Sequence, residues 1–88
     1  MNTVILSYDI ASSFRNKLHA ECEKYLIQIH ESVFEGSISD KNLKKLKNFI
    51  ARNLDFQNDS VVIYYSNGFD GFTRESIGRS IHSDILFL

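Results

Sequence analysis

The sequence predicts a single α+β domain spanning residues 1–88, an α/β sandwich of short strands and two amphipathic helices. Two observations carry this. Thr3 to Asp9 and Val61 to Tyr65 are dense in Val, Ile, Leu and Tyr, the composition of mostly buried strands. Phe14 to Tyr25 and Leu43 to Leu54 instead space their apolar residues three and four apart, as a helix with one buried face does. At 88 residues, the chain buries only roughly 60–65% of the surface its unfolded form exposes. The core is therefore modest, and association with a second chain would help it.

Taken in order, the first strand runs from Thr3 to Asp9. Ser12 or Ser13 then offers a hydroxyl to cap a helix whose face is Phe14, Leu18, Cys22, Tyr25 and Leu26. Arg15, Asn16, Lys17, Glu21 and Glu23 fall mainly off that face. Ile27 to Phe34 alternates apolar and polar residues and reads as a second, half-buried strand that Gly36 breaks. Ser39 caps the second helix, with Leu43, Leu46, Phe49, Ile50 and Leu54 on its inner stripe and Lys41, Lys44, Lys45, Lys47 and Arg52 around the remainder. Asp55 to Asp59 is a polar connection into the third strand, Val61 to Tyr65. Asn67-Gly68 and Asp70-Gly71 bound a turn. Phe72 to Ile77 is a fourth strand and Ile85 to Leu88 a short fifth. The resulting order is strand, helix, strand, helix and three strands, which lacks the hairpin partner that a βαββαβ arrangement places before the second helix.

The bulk properties exclude several function classes. No run approaches the roughly 20 apolar residues of a membrane span, and no signal-peptide pattern opens the chain. One cysteine, Cys22, makes no internal disulfide and lies on the apolar helix face. A cytoplasmic protein without membrane contact is expected. The formal net charge is −1, so a polyanion site must come from local clustering or from a partner. There is no glycine-rich phosphate loop, Cys–His metal pattern or Ser–His–Asp arrangement. His19 and His82 lack partners at metal-ligand spacing and read as structural or surface residues.

Two stretches remain as candidate sites. Tyr8-Asp9-Ile10 leaves one acid at the end of an apolar strand. Asp9 either caps the following turn or ligates a hard cation such as Mg²⁺ or Mn²⁺. One carboxylate is too few for such an ion, but a twofold dimer would supply a second. Ser32-Val33-Phe34-Glu35-Gly36 reads as a strand end with a core aromatic and a glycine turn. Arg15, Lys17 and the lysines of the second helix are solvated charges or phosphate contacts. Finally, Ile85, Leu86, Phe87 and Leu88 would invite aggregation on a free edge and are better explained as a strand paired with another subunit.

Together, Tyr8-Asp9-Ile10, Arg15-Asn16-Lys17, Ser32 to Gly36, the Leu43 to Leu54 helix and Asp59-Ser60-Val61 resemble the CRISPR-associated Cas-two family, the non-integrase subunit of the spacer-acquisition complex. The resemblance covers nearly the whole chain. It departs at His30, two positions before Ser32, where the family often carries Gln. The resemblance implies a ferredoxin-like antiparallel sheet with two helices on one face and a C-terminal strand at the dimer interface. It also implies a homodimer that, with the CRISPR integrase, holds prespacer DNA. Some members are described as metal-dependent nucleases on RNA or DNA. On that basis Asp9 is the catalytic and metal residue, with Mg²⁺ or Mn²⁺ as cofactor. Arg15, Lys17 and His30 contact nucleic acid, Tyr8 and Phe34 lie at the dimer cleft, and Ile85 to Leu88 form the interface. The alternative is a related ferredoxin-like ribonuclease toxin that acts without an integrase.

Overall fold

Between Ile27 and Ile38 the chain turns back on itself, and this hairpin resolves the missing strand. The computed structural model describes residues 1–68 and 71–79. It contains β1 (Asn2–Asp9), α1 (Phe14–Glu23), β2 (Ile27–His30), β3 (Val33–Ile38), α2 (Asp40–Asn53), β4 (Ser60–Ser66) and β5 (Thr73–Gly78). The stretch expected to be one strand, Ile27 to Phe34, is therefore two, joined at Glu31-Ser32. The expected strand break at Gly36 is also corrected, because that residue lies inside β3 and pairs with Val4. It leaves room instead of making a turn: a Cβ there would sit 3.2 Å from the Leu26 side chain. The expected fifth strand, Ile85 to Leu88, falls outside the described residues.

The sheet order is β2-β3-β1-β4-β5, and every pair is antiparallel. Elements β1 to β4 with the two helices make the βαββαβ order of a ferredoxin-like domain, and β5 adds a strand beside β4. Central β1 alternates, as the pleat requires. Val4, Leu6 and Tyr8 point to the helices, while Thr3, Ile5, Ser7 and Asp9 point to the other face. Phe34, Val61 and Ile63 share the helix side, and Phe14, Leu18, Leu46 and Ile50 close over them in one core. Each fully buried leucine here contributes about 1.5–3 kcal/mol relative to exposure.

The helix ends differ in their chemistry. Ser39 behaves as expected, its hydroxyl accepting from the Asn42 N–H at 3.1 Å. Asp40 adds a negative charge to the first turn of α2 and accepts from Asn2 Nδ2 at 2.6 Å. Ser39→Ala removes the cap and is expected to cost about 0.5–2 kcal/mol, read as a melting-temperature fall of about 2–16 °C in a thermal scan. On α1 the expected serine cap is not made. Ser13 has helical backbone angles and no side-chain cap bond. The Ser12 hydroxyl donates instead to Asp59 Oδ2 at 3.0 Å.

Candidate nucleic-acid and metal site at the end of the first strand

Because Asp9 follows Tyr8 on a pleated strand, its carboxylate emerges on the face opposite the helices. Its side chain is 74% exposed. Across the sheet Asp9 lies opposite Ser60, and Ser60 opposite Gly78. Gly78 has φ +97° and approaches so closely that a Cβ would collide with the Asp59 carbonyl oxygen and the Leu54 side chain. This turn carries Arg79 back toward β1. The Arg79 N–H donates to the Asp59 carbonyl at 2.8 Å, and its Nη2 donates to Asp9 Oδ2 at 3.0 Å. The ion pair is solvent-exposed and contributes only about 0–1 kcal/mol, but it places a guanidinium on the candidate carboxylate.

The loop after Asp9 is held from below. Asp59 is fully buried, and its carboxylate accepts from the Ala11 N–H at 3.3 Å, the Ser12 hydroxyl at 3.0 Å and the Asp55 N–H at 3.4 Å. A buried carboxylate is tolerable when its lone pairs are met in this way. Asp59 thus ties the β1 exit to the segment that enters β4.

Beside Asp9 is a recess of about 190 Å³ lined by Tyr8, Asp9, Ile10, Arg15, Glu31 and Ser32. An adjoining one of about 300 Å³ is lined by Tyr8, Arg15, Asn16, His19, Gln28 and Glu31. Arg15 belongs to both, so the structure brings it together with Asp9. Lys17 is elsewhere, in a third recess with Ser12, Ser13, Asn53 and Asp55. His30 is exposed on β2 opposite Val33 and lines none of the three.

Tyr8 is mostly buried, and Phe34 is completely so. Their rings stack with centroids 6.3 Å apart, and His19 meets Phe34 edge-on at 5.2 Å. Within one chain Phe34 offers no surface, so any influence on a dimer cleft passes through its neighbours. The Tyr8 hydroxyl donates to the Glu31 carbonyl at 3.3 Å and lies 3.5 Å from His19 Nδ1. Burial raises the Tyr8 pKa, while the Arg15 guanidinium works in the opposite sense. Burial, aided by Glu21 and Glu23, pushes the Cys22 thiol up to about 12, so it is no nucleophile. Ile85 to Leu88 lie outside the described residues.

No three His, Cys, Asp or Glu side chains converge to hold a metal ion among the described residues. Asp9 presents one carboxylate, with one oxygen already engaged by Arg79. A single chain therefore does not fit a resident divalent cation. Sequence reasoning missed both Arg79 and the anchoring role of Asp59. Arg79 is 70 residues from Asp9, and no local pattern marks it. Asp59 had one signal, its position directly before a strand.

Comparison with known proteins agrees with this geometry. The family model for CRISPR associated protein Cas2 matches residues 1–69. A CRISPR-associated endoribonuclease Cas2 from Methanocaldococcus jannaschii is 38% identical over 61 residues, which cover 69% of this chain and 54% of that protein. The chain thus spans about half the length of that relative. A second such protein, Cas2 2 from Archaeoglobus fulgidus, is 32% identical over 75 residues, 85% of this chain and 82% of its own. A Cas2 crystal structure superimposes with TM-score 0.70 at 31% identity, covering 92% of this chain and 91% of the other. Streptococcus pyogenes Cas2, at 22% identity and TM-score 0.66 over 70% of this chain and 82% of its own, shares the fold. With a family match across most of its length and a fold that superimposes on a Cas2 structure, this chain belongs to the Cas2 family.

Proposed function

We propose that this chain works as a homodimer that, together with the CRISPR integrase, holds prespacer DNA during spacer acquisition. The observation that supports the reading is the open face of the sheet. Ile5, Val33, Val62 and Tyr64 are partly exposed there, opposite the helix layer, and Ile27 on the same face is 72% exposed. Apolar sheet faces are normally covered by another layer. A second copy related by a twofold axis would cover this one and bring two Asp9 carboxylates to a common side. Arg15, next to Asp9, and Lys17 then hold phosphates, and His30 adds a contact at the sheet edge. Family membership favours this over a stand-alone ribonuclease toxin.

A second reading has its own support, because the curated relatives are named endoribonucleases. In that reading the two Asp9 carboxylates of a dimer share Mg²⁺ or Mn²⁺, and RNA or DNA is the substrate.

One set of measurements separates the two. Wild type is expected to have twice the 10.2 kDa chain mass by light scattering and to support spacer integration with the cognate integrase. Val62→Arg on the open face is expected to be monomeric and inactive in that assay. Asp9→Asn is expected to remain dimeric and still support integration. Loss of integration by a dimeric Asp9→Asn would move the role to the carboxylate. Divalent-dependent RNA cleavage abolished by the same substitution would establish the second reading. A monomeric wild type would overturn the first.

A further inference from the structure

Charge is segregated in this chain in a way that its net value conceals. Five of its ten basic residues, Lys41, Lys44, Lys45, Lys47 and Arg52, lie on α2 with no acid between them. Outside that helix the chain carries five bases against ten acids, the eleventh being Asp40 at the first position of α2. Lys47 is used internally, with Nζ 3.0 Å from Glu75 Oε1 and 5.1 Å from the centre of the Tyr65 ring. Lys41, Lys44, Lys45 and Arg52 are exposed, and none makes an ion pair among the described residues.

At 100° per residue these four, with Asn48, fall within an arc of roughly 100°, opposite the buried Leu43, Leu46 and Ile50. From Lys41 to Arg52 the stripe is about 16 Å long. A solvated helix face usually mixes signs, and Glu–Lys pairs four apart stabilise it. Here Lys41 and Lys45 stand four apart with like charge, which costs helix stability by a few tenths of a kcal/mol. Solubility does not require that arrangement. Acids appear beyond the ends, at Asp40 and Asp55, where one accepts from Asn2 and the other from Gln57 and Asn58.

We infer that this stripe is a docking surface for the phosphate backbone of a nucleic-acid duplex. Its rigid straight row is long enough to meet several phosphates on one side of a duplex. No exposed aromatic interrupts it, because Phe49 packs on Phe14 with ring centroids 5.7 Å apart. Single-strand sites pair their cations with stacking rings, so this surface suits paired bases read through their backbone, without sequence preference. Beyond its C-terminal end, Lys17 and Asn53 line the recess between the helices and extend the surface onto α1. The stripe lies on the helix layer, away from Asp9 and the open sheet face. In the dimer proposed above, each subunit would carry one on its outer side. The inference rests on that nucleic-acid-holding reading and adds a second contact surface to it.

The test is fluorescence anisotropy with a labelled mixed-sequence DNA duplex of about three helical turns, titrated between about 50 and 200 mM salt. Lys41→Gln/Lys44→Gln/Lys45→Gln/Arg52→Gln keeps good helix formers and removes four charges. Its plot of log affinity against log salt is expected to flatten by about 3–4 units relative to wild type, equally for unrelated sequences. Arg15→Gln is measured in parallel and is expected to flatten it by about one. An unchanged slope in the quadruple variant, with melting temperature preserved, overturns the inference. If Arg15→Gln alone loses slope, the stripe is excluded while the function proposed above stands. A wild type that binds no duplex also overturns the inference. Dimer mass and integration still decide the broader function independently.

Discussion

Truncating Phe34 to alanine is expected to lower the melting temperature by at least about 12 °C, and in the limit to leave the chain unfolded at 37 °C. The ring is completely buried on β3 beneath α1, stacked on Tyr8 and met edge-on by His19. Replacing a buried phenylalanine by alanine costs about 3–5 kcal/mol in lost transfer energy and residual cavity. For a domain of this size each kcal/mol shifts the midpoint by some 4–8 °C. Total stability is only of order 5–15 kcal/mol, so one substitution removes a large share. Calorimetry with Phe34→Leu alongside separates packing from fold failure, since leucine refills much of the void. A fall of less than about 5 °C for alanine would show that the ring is not part of the core's packing.

The second large effect is expected at Asp59. Asp59→Ala leaves the Ala11 N–H, the Ser12 hydroxyl and the Asp55 N–H without their acceptor inside the protein. Ala11, Ser12 and Asp55 are themselves exposed residues that water can reach, so the loss is less than three full orphaning penalties, and about 1–3 kcal/mol is expected by denaturant titration. The disturbance is also expected to be local. Hydrogen exchange at Ala11 and Asp55 should accelerate more than at Leu6 or Ile63 in the sheet centre. Uniform acceleration would show that Asp59 stabilises the fold as a whole and does not hold the β1 exit in particular. Asp59→Asn provides the comparison, because its amide keeps the shape and one acceptor oxygen.

What could be read from the sequence follows from the range of each signal. β1, β4, both helix faces and the Ser39 cap were legible because periodicity and capping act over a few residues. The β2–β3 hairpin was not. Its turn, Glu31-Ser32, has no Gly, Asn or Asp, the residues that announce tight hairpins. All four residues of β2 are exposed, so the alternation of Ile27 and Ile29 did not report burial. Gly36 was misleading for the same reason, since glycine's meaning depends on whether the backbone or a neighbour needs the space, and here Leu26 does. At the candidate site, Asp9 and Arg15 were readable as a strand-end acid and an early helix base. Arg79 was not, because its approach to Asp9 depends on the antiparallel register of β1, β4 and β5 and on the turn at Gly78. Lys17 and Arg15 share a helix two positions apart, which turns them to different sides and into different recesses.

The pleat of β1 also constrains how this protein can change over evolutionary time. Tyr8 and Asp9 are adjacent, yet one ring belongs to the interior and one carboxylate to the surface. Both flanks of the strand are occupied, by β3 and by β4, so neither neighbour can slide to absorb a change in length. Inserting or deleting one residue anywhere between Val4 and Tyr8 would exchange the two faces, driving the acid inward and the aromatic outward. Point substitutions along β1 can accumulate singly, but indels there are closed to drift. Length variation among descendants of this chain should therefore collect in the connections.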